Sequence, residues 1–241
     1  MNNIKFSILV PAVPSRLSNR LTPLLEKLLL QCKDRSDVEI LSFIDNKKRT
    51  IGEKRDALVQ LSQGDYVAFV DDDDDIADDY VQKICDCIVN SDINPDVIVF
   101  NQIASINGNK FLVEFGLEYE NEQAQQLKDG SYIDIHRKPF HVCAWKSSLA
   151  KGVRFPVNSW GEDWAWAEQL VEIAKTQERI NSVLHYYIYS DQHSEAPDLS
   201  KKNEDTNLEG SVKEHLEDIS NNNSNLEENK TLESEDKKEQ K

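Results

Sequence analysis

Five consecutive aspartates, at residues 71–75, directly follow the apolar run VAFV at residues 67–70. Carboxylates this close together repel one another unless they are solvated or neutralised. A divalent cation would neutralise them, because Mg²⁺ and Mn²⁺ prefer oxygen ligands and are often held by one or two carboxylates together with substrate phosphates. Asp71 and Asp73 alternate along an extended segment, so we expect them to converge on such a cation. The alternative is a solvated acidic loop that caps the next helix at Asp78 or Asp79.

A second candidate is the stretch TIGEKRDAL at residues 50–58. Gly52 permits a tight turn, Lys54 and Arg55 supply positive charge, and the start of the predicted helix adds backbone donors. This combination suits a diphosphate. Such a sequence before a helix is more often a solvated surface, and the diphosphate interpretation gains its value from the position of the stretch between two strands with acidic ends.

A third candidate is WGEDWAW at residues 160–166, where Glu162 and Asp163 stand among three tryptophans that include Trp160. Aromatic walls suit sugar rings, and a carboxylate in a partly apolar pocket becomes a better base as its pKa rises. The alternative is a helix start in which the dipole stabilises the two carboxylates and the tryptophans are packed.

The elements that position these groups alternate between strand and helix. The pattern predicts strands over 5–10, 38–44, 66–70 and 96–100, with helices over 16–31, 53–62 and 79–90 between them. Such alternation predicts a parallel sheet with covering helices, and ligands bind at the carboxyl ends of strands in such sheets. The polar sites at residues 11–13, 45 and 71–75 all fall at those ends.

The second half of the chain is predicted to differ from the first. Asn107-Gly108 indicates a hairpin within residues 102–118. A helix follows residue 161, and residues 183–189 form the last strand.

The amino-acid composition argues against nucleic-acid-binding and membrane-spanning classes of protein. The net charge is −16, and we predict that residues 197–241, which carry no aromatic side chain, form an acidic disordered tail. The absence of a basic stripe argues against a nucleic-acid partner. No apolar run approaches the ~20 residues that span a bilayer, so we expect a soluble cytoplasmic protein whose four cysteines are reduced thiols.

Taken in order, four motifs resemble the family-2 glycosyltransferases of the GT-A fold. They are FID at 43–45, IGEKRDAL at 51–58, GDYVAFVDDDD at 64–74 and GED at 161–163. The resemblance covers about residues 4–193. It implies an α/β GT-A fold, with a Rossmann-like, mostly parallel central sheet, flanking helices and a small acceptor-side hairpin region. The domain would span residues 1–196, with a nucleotide-sugar-binding half to about residue 100 and an acceptor-binding half over 101–196.

The resemblance also implies roles for individual residues. Asp163 would be the catalytic base. Mn²⁺ or Mg²⁺ would be held by Asp73, with Asp71 and His193 as further candidate ligands. The acceptor side would include Glu162, Trp160, Asp74 and His141. The donor side would comprise the nucleobase pocket, the base-recognising aspartate and the phosphate and sugar contacts: Pro11, Val13, Asp45, Gly52, Lys54, Arg55, Asp71, Asp72 and Asp73.

The implied function is metal-dependent, inverting transfer of one sugar from a nucleotide-diphosphate sugar, with a UDP-sugar favoured, to a hydroxyl group. The acceptor would be a glycan, a lipid-linked molecule or a protein, and a lipid-linked acceptor would place the enzyme at a membrane periphery. Two alternatives stay open: a nucleotidyltransferase, against which the glycine-free PAVPSR at 11–16 argues, and a non-catalytic sugar- or partner-binding module. A homodimer and a one-residue shift of register within 71–75 also stay open.

Overall fold

A computed structural model describes residues 3–189, which lie within one unit of the chain, Met1–Ser194. His193 and the predicted tail at 197–241 lie outside the described residues. The strands are β1 (Phe6–Ala12), β2 (Val38–Ile44), β3 (Tyr66–Phe69), β4 (Asp75–Ile76), β5 (Val97–Ile106), β6 (Asn109–Phe115), β7 (Ile135–Arg137), β8 (Ala144–Lys146) and β9 (Gln177–Tyr189). The α-helices are α1 (Thr22–Cys32), α2 (Ile51–Leu61), α3 (Tyr80–Asn90), α4 (Ser147–Ala150) and α5 (Glu162–Ile173).

The strands form one mixed sheet in the order β2-β1-β3-β8-β5-β6-β7, with β9 paired to both β5 and β4. β1 runs parallel to β2 and β3, and β9 runs parallel to β5. β8 is antiparallel to both of its neighbours, so β5 points in the same direction as β3. The predicted α/β fold with a largely parallel central sheet is confirmed, and the inserted antiparallel β8 is an addition to it.

Helices cover both faces of the sheet, which explains why all seven residues of β1 are buried. Leu9 on one face packs in a cluster with Leu58 of α2 and Trp166 of α5. Ile8 on the other face packs in a second cluster with Leu28 of α1. The polar ends of the strands therefore project beyond a core that is closed on both sides.

Several predicted boundaries were wrong. The predicted strand at 96–100 and the first arm of the hairpin are one strand, β5, whereas the hairpin turn lies at Asn107 and Gly108 as predicted, with φ of 49° and 87°. β9 starts at Gln177 rather than at residue 183 because its pairing with β5 extends to that point. A 3₁₀ turn, Pro14–Arg16, and a π turn, Leu17–Leu21, precede α1, which therefore starts later than predicted.

The prediction that an aspartate side chain caps the start of α3 was also wrong. Asp79 occupies the N-cap position, but its side chain makes no capping hydrogen bond. Its Oδ2 instead lies 2.9 Å from Nζ of Lys83, one helical turn further on.

Two predictions from composition can be compared with the described residues. Within residues 3–189, no helix has the length and apolar character needed to cross a membrane. Cys32, Cys85, Cys87 and Cys143 are free thiols, as predicted.

Candidate functional site

The candidate site lies where β1, β2 and β3 end. Ala12 of β1 is in register with Ile44 of β2, and Leu9 of β1 is in register with Phe69 of β3. The residues that follow these strands, among them Val13, Asp45 and the aspartates from residue 71, therefore meet at one edge of the sheet. The predicted placement of three polar sites at neighbouring strand ends is confirmed.

Arg55 lies at this edge and contacts two of its carboxylates. Its guanidinium contacts both carboxylate oxygens of Asp71 at 2.9 Å, and its Nε lies 3.1 Å from Oε1 of Glu162. It also lies over the Phe69 ring, 5.0 Å from the centroid. Burial alone would lower the pKa of Arg55, but the neighbouring charges of Asp71 and Glu162 outweigh burial and raise the pKa. Arg55 thus joins the end of β3 to the start of α5.

His141 makes a second connection between the same two elements. Its Nε2 lies 3.6 Å from Oδ2 of Asp71, and its Nδ1 lies 3.6 Å from Oδ2 of Asp163. His141 is 5% exposed, and within residues 3–189 neither ring nitrogen has a hydrogen-bond partner, so the two carboxylates approach the ring without hydrogen bonding to it. Asp163 is further held by the backbone N–H of Trp164, which donates to Oδ1 at 2.8 Å.

Glu162 and Asp163 differ in their surroundings although they are adjacent. Glu162 is 4% exposed, and burial raises its pKa against the opposing charge of Arg55. The Asp163 side chain keeps about a quarter of its surface exposed, at 27%. Of the two, Asp163 is therefore the carboxylate that an approaching molecule can reach.

Asp72 and Asp73 share a cation that sequence reasoning missed, Arg16. Asp72 accepts from the backbone N–H of Val13 at 2.9 Å and pairs with Nη1 of Arg16 at 2.7 Å. Asp73 lies 2.9 Å from Nη2 of the same arginine. Burial and the charge of Asp71 raise the pKa of Asp73 to about 6, although Arg16 acts in the opposite direction.

Asp74 turns away from the other aspartates towards β9. Its Oδ1 accepts from the backbone N–H of Ile188 at 3.0 Å, and its Oδ2 lies 3.6 Å from Nε2 of His185. His185 is fully buried beside Gln102, and burial lowers its pKa to about 4. Only 3% of the Asp74 side chain is exposed, so its predicted contact with an acceptor has little surface available.

Asp45 and Lys54 form an internal link between three elements. Their side chains lie 3.1 Å apart, and Nζ of Lys54 also donates to the carbonyl of Ala12 at 3.0 Å. The backbone N–H of Arg49 donates to Asp45 at 3.0 Å. Asp45 therefore lies at the predicted end of β2 with its carboxylate partly occupied by Lys54.

Backbone N–H groups at the start of α2, which the diphosphate prediction took as free donors, already donate hydrogen bonds within the protein. The backbone N–H of Gly52 donates to the carbonyl of Asn158 at 3.0 Å, and that of Glu53 donates to the Thr50 hydroxyl at 3.2 Å within a capping box. A Cβ at Gly52 would lie 2.0 Å from the carbonyl oxygen of Pro156. Gly52 therefore serves the close approach of the 156–158 segment, and its amide is not available to a phosphate.

The three tryptophans of WGEDWAW have different surroundings. Trp166 is fully buried and stacks on Phe155 at 4.6 Å between ring centroids. Trp160 is 47% exposed. Trp164 faces Arg137, whose guanidinium lies 5.4 Å from the ring centroid. Trp160 and Trp164 can therefore contact a ligand, while Trp166 belongs to the core.

The remaining predicted donor residues lie at the same edge. Pro11 is buried within β1, and Val13 is 8% exposed beside Asp72. Within residues 3–189, no group of three or more histidine, cysteine, aspartate or glutamate side chains is arranged as a ready metal site. Arg16 could have been found from sequence because it follows the first strand by four residues, whereas no sequence pattern pointed to His185.

Comparison with known proteins identifies the fold. No family model and no curated protein matches the sequence. The crystal structure of S. aureus TarS 1–349 is similar at a TM-score of 0.51 and 16% identity, over 76% of this chain and 60% of that chain. The TarS 1–349 complex with UDP-GlcNAc is similar at 0.51 and 15%, covering 78% and 59% of the two chains. The UDP complex is similar at 0.51 and 16%, covering 78% and 61%.

The chain thus spans about 60% of the length of these solved structures. At this level of identity the likeness establishes a shared α/β fold. The crystal structures with UDP and UDP-GlcNAc show that TarS binds these two molecules.

Proposed function

We propose that this protein is a glycosyltransferase of the GT-A type that moves a single sugar from a nucleotide-diphosphate sugar, a UDP-sugar in the first instance, to a hydroxyl group. One observation carries the proposal: Arg55 binds Asp71 and Glu162, which places the acidic strand end and the Glu-Asp helix start in a single site. The shared fold with TarS, which binds UDP and UDP-GlcNAc, supports the choice of donor.

The donor would lie along the ends of β1, β2 and β3. Val13 and Asp45 stand at the ends of β1 and β2, where the nucleobase would bind. Asp72 is held by the Val13 N–H and Arg16, and Asp71 and Asp72 would contact the ribose and the sugar. Arg16 and Arg55 are the cations nearest to these carboxylates and supply the positive charge that a diphosphate needs.

Asp163 would act as the general base. It would take the proton from the acceptor hydroxyl as that oxygen attacks the anomeric carbon, and the bond from that carbon to the diphosphate would break on the opposite face. The transfer would then invert the anomeric configuration. The Trp164 N–H, which donates to Asp163 at 2.8 Å, supports this role because it holds the carboxylate in place, and His141 lies 3.6 Å from the other carboxylate oxygen.

A hard divalent cation at Asp73 is part of this proposal. Burial and the charges of Asp71 and Asp72 raise the pKa of Asp73 although Arg16 acts against them, so a cation at this carboxylate would stabilise its charged form. We propose Asp73 as the main ligand of Mn²⁺ or Mg²⁺, with His193 as a further candidate. Asp71 is already bound by Arg55 at both oxygens, which makes it the weaker candidate. When bound, the cation would supply neutralisation of the charge on the leaving diphosphate.

Turnover of a nucleotide sugar tests the proposal. We expect the purified protein with Mn²⁺ to release UDP slowly from UDP-GlcNAc or another UDP-sugar, since water can replace a missing acceptor. Asp163→Asn should reduce this release by at least 100-fold and leave the Kd for UDP within about threefold, because the base acts on the acceptor. Binding without turnover in the native protein would favour the non-catalytic binding module instead.

A further inference from the structure

Arg137, at the end of β7, lies beside the proposed base without being part of the predicted site. Its guanidinium is placed over two aromatic rings, 5.1 Å from the centroid of Phe140 and 5.4 Å from that of Trp164. Phe140 precedes His141 in the chain and Trp164 follows Asp163. The arginine therefore flanks the contact between His141 and Asp163.

Arg137 differs from the other enclosed arginines because no acidic side chain among the described residues pairs with it. Among residues 3–189, no carboxylate lies within 4.0 Å of its guanidinium, and its Nε is buried without a hydrogen-bond partner. The arginines of comparable enclosure each pair with an acidic side chain: Arg16 with Asp72 and Asp73, Arg35 with Asp37, Arg55 with Asp71 and Glu162, and Arg179 with Glu118.

A cation without an acidic partner in the described part of the chain is unexpected, because the chain carries 44 acidic side chains against 28 basic ones. Burial lowers the pKa of Arg137, and the charge of Asp163 acts in the opposite direction without forming an ion pair. Burying a charge or a donor without a partner costs free energy, so such a group is retained where something else supplies the partner.

We propose that Arg137 is an anion-binding residue of the active site, and that it receives a phosphate oxyanion of the ligand that lies beside Asp163. This inference rests on the proposed transferase function. The planar guanidinium binds phosphate oxygens through two parallel N–H donors, and the aromatic rings hold that fork in place before the ligand arrives. The phosphate would belong either to the donor diphosphate or to a phosphate-bearing acceptor.

Inorganic phosphate is the probe for the first experiment. We expect the melting temperature of the native protein to rise by about 2 °C in 50 mM phosphate relative to chloride at equal ionic strength, because an anion that binds only the folded state stabilises it. Arg137→Met should lose this rise. Arg137→Lys keeps the positive charge but lacks the two parallel N–H donors of the guanidinium, so it should retain a smaller rise. This variant also tests the proposal if Arg137→Met does not fold.

Arg179→Met is the matched control, because Arg179 also lies on an aromatic ring, Tyr119 at 5.3 Å, but is paired with Glu118. This variant should melt lower in chloride and keep the full rise in phosphate. Absence of a rise in the native protein, or an equal rise in Arg137→Met or Arg137→Lys, would overturn the proposal.

Calorimetric titration of UDP separates this inference from the proposed function. A native protein that responds to phosphate through Arg137 but does not bind UDP would contradict the transferase and leave the anion site standing. If UDP binds, a loss of at least tenfold in affinity in Arg137→Met would assign the phosphate to the donor. Unchanged UDP affinity would assign it to the acceptor side.

Discussion

At the scale of single residues, Arg55 carries the most structural weight in the site. Replacing it with methionine would leave the carboxylates of Asp71 and Glu162 buried without their cation. We expect Arg55→Met to lower the free energy of unfolding by about 3–5 kcal/mol, as measured by urea denaturation. Arg154→Met is the control, because its pair with Asp56 is exposed on the arginine side and should contribute about 1 kcal/mol or less. Equal losses in the two variants would contradict this role of Arg55.

Asp73 should make the metal-free protein less stable as the pH rises. Its pKa is about 6 in the folded state against 3.8 for the ordinary aspartate, so the unfolded chain releases the proton first. The free energy of unfolding therefore falls between these two pH values, by up to about 3 kcal/mol. In EDTA, Asp73→Asn should be more stable than the native protein at pH 7.5, and the gap should close towards pH 4.

The control for this comparison is Asp78→Asn, whose side chain is 97% exposed. It should follow the native protein to within about 0.5 kcal/mol at both pH values. If the native protein is as stable as Asp73→Asn at pH 7.5, the charged carboxylate of Asp73 does not destabilise the folded state, and the prediction is wrong.

Some of these residues were predictable from sequence and others were not. Asp71, Arg55 and Glu162 stand in motifs whose order along the chain indicates a shared site. Arg137 stands in no such motif, and its importance follows from its three-dimensional surroundings, in which no carboxylate of residues 3–189 pairs with it. The orientation of Asp74 towards β9 also depends on packing, because alternation along an extended segment does not continue through the turn at Asp71–Asp74.

At the scale of elements, the close approach of α2 to the 156–158 segment positions Arg55. The Cβ of an alanine at Gly52 would lie 2.0 Å from the Pro156 carbonyl oxygen, so one of the two backbones must move. We expect Gly52→Ala to cost about 1–3 kcal/mol in urea denaturation and to weaken UDP binding, since it displaces the start of the helix that carries Arg55. Thr50→Ala, which removes only the cap, should cost about 1 kcal/mol and leave UDP binding unchanged.

The elements themselves were predicted better than their pairing. The apolar runs that form β1, β2 and β3 are short, bounded by turn residues and separated by helices, which fixes a parallel arrangement. The antiparallel β8 is three residues long and lies between β3 and β5, and no local pattern in AWK indicates that position. Its placement depends on pairing between residues that are far apart in the chain, such as Val67 and Trp145. Local sequence does not specify such pairs.

At the scale of the described molecule, residues from both halves of the chain share one sheet and one site. β8, at residues 144–146, pairs with β3 and β5, and Glu162 pairs with Arg55 across 107 positions. We therefore expect a single cooperative unfolding transition. All four tryptophans lie between residues 145 and 166, so their fluorescence reports the second half while far-ultraviolet circular dichroism reports both. Coincident midpoints are expected, and separate midpoints would show that the halves unfold independently.

The most direct test of the central claim is a calorimetric titration of UDP into the native protein and into Asp73→Asn, each in Mn²⁺ and in EDTA, with GDP, CDP and TDP as comparisons. We expect UDP to bind the native protein most tightly in Mn²⁺, with an affinity at least tenfold lower in EDTA, and Asp73→Asn to show the weaker affinity in both buffers. Absence of binding by all four nucleotides would contradict the assignment of this site to a nucleotide sugar.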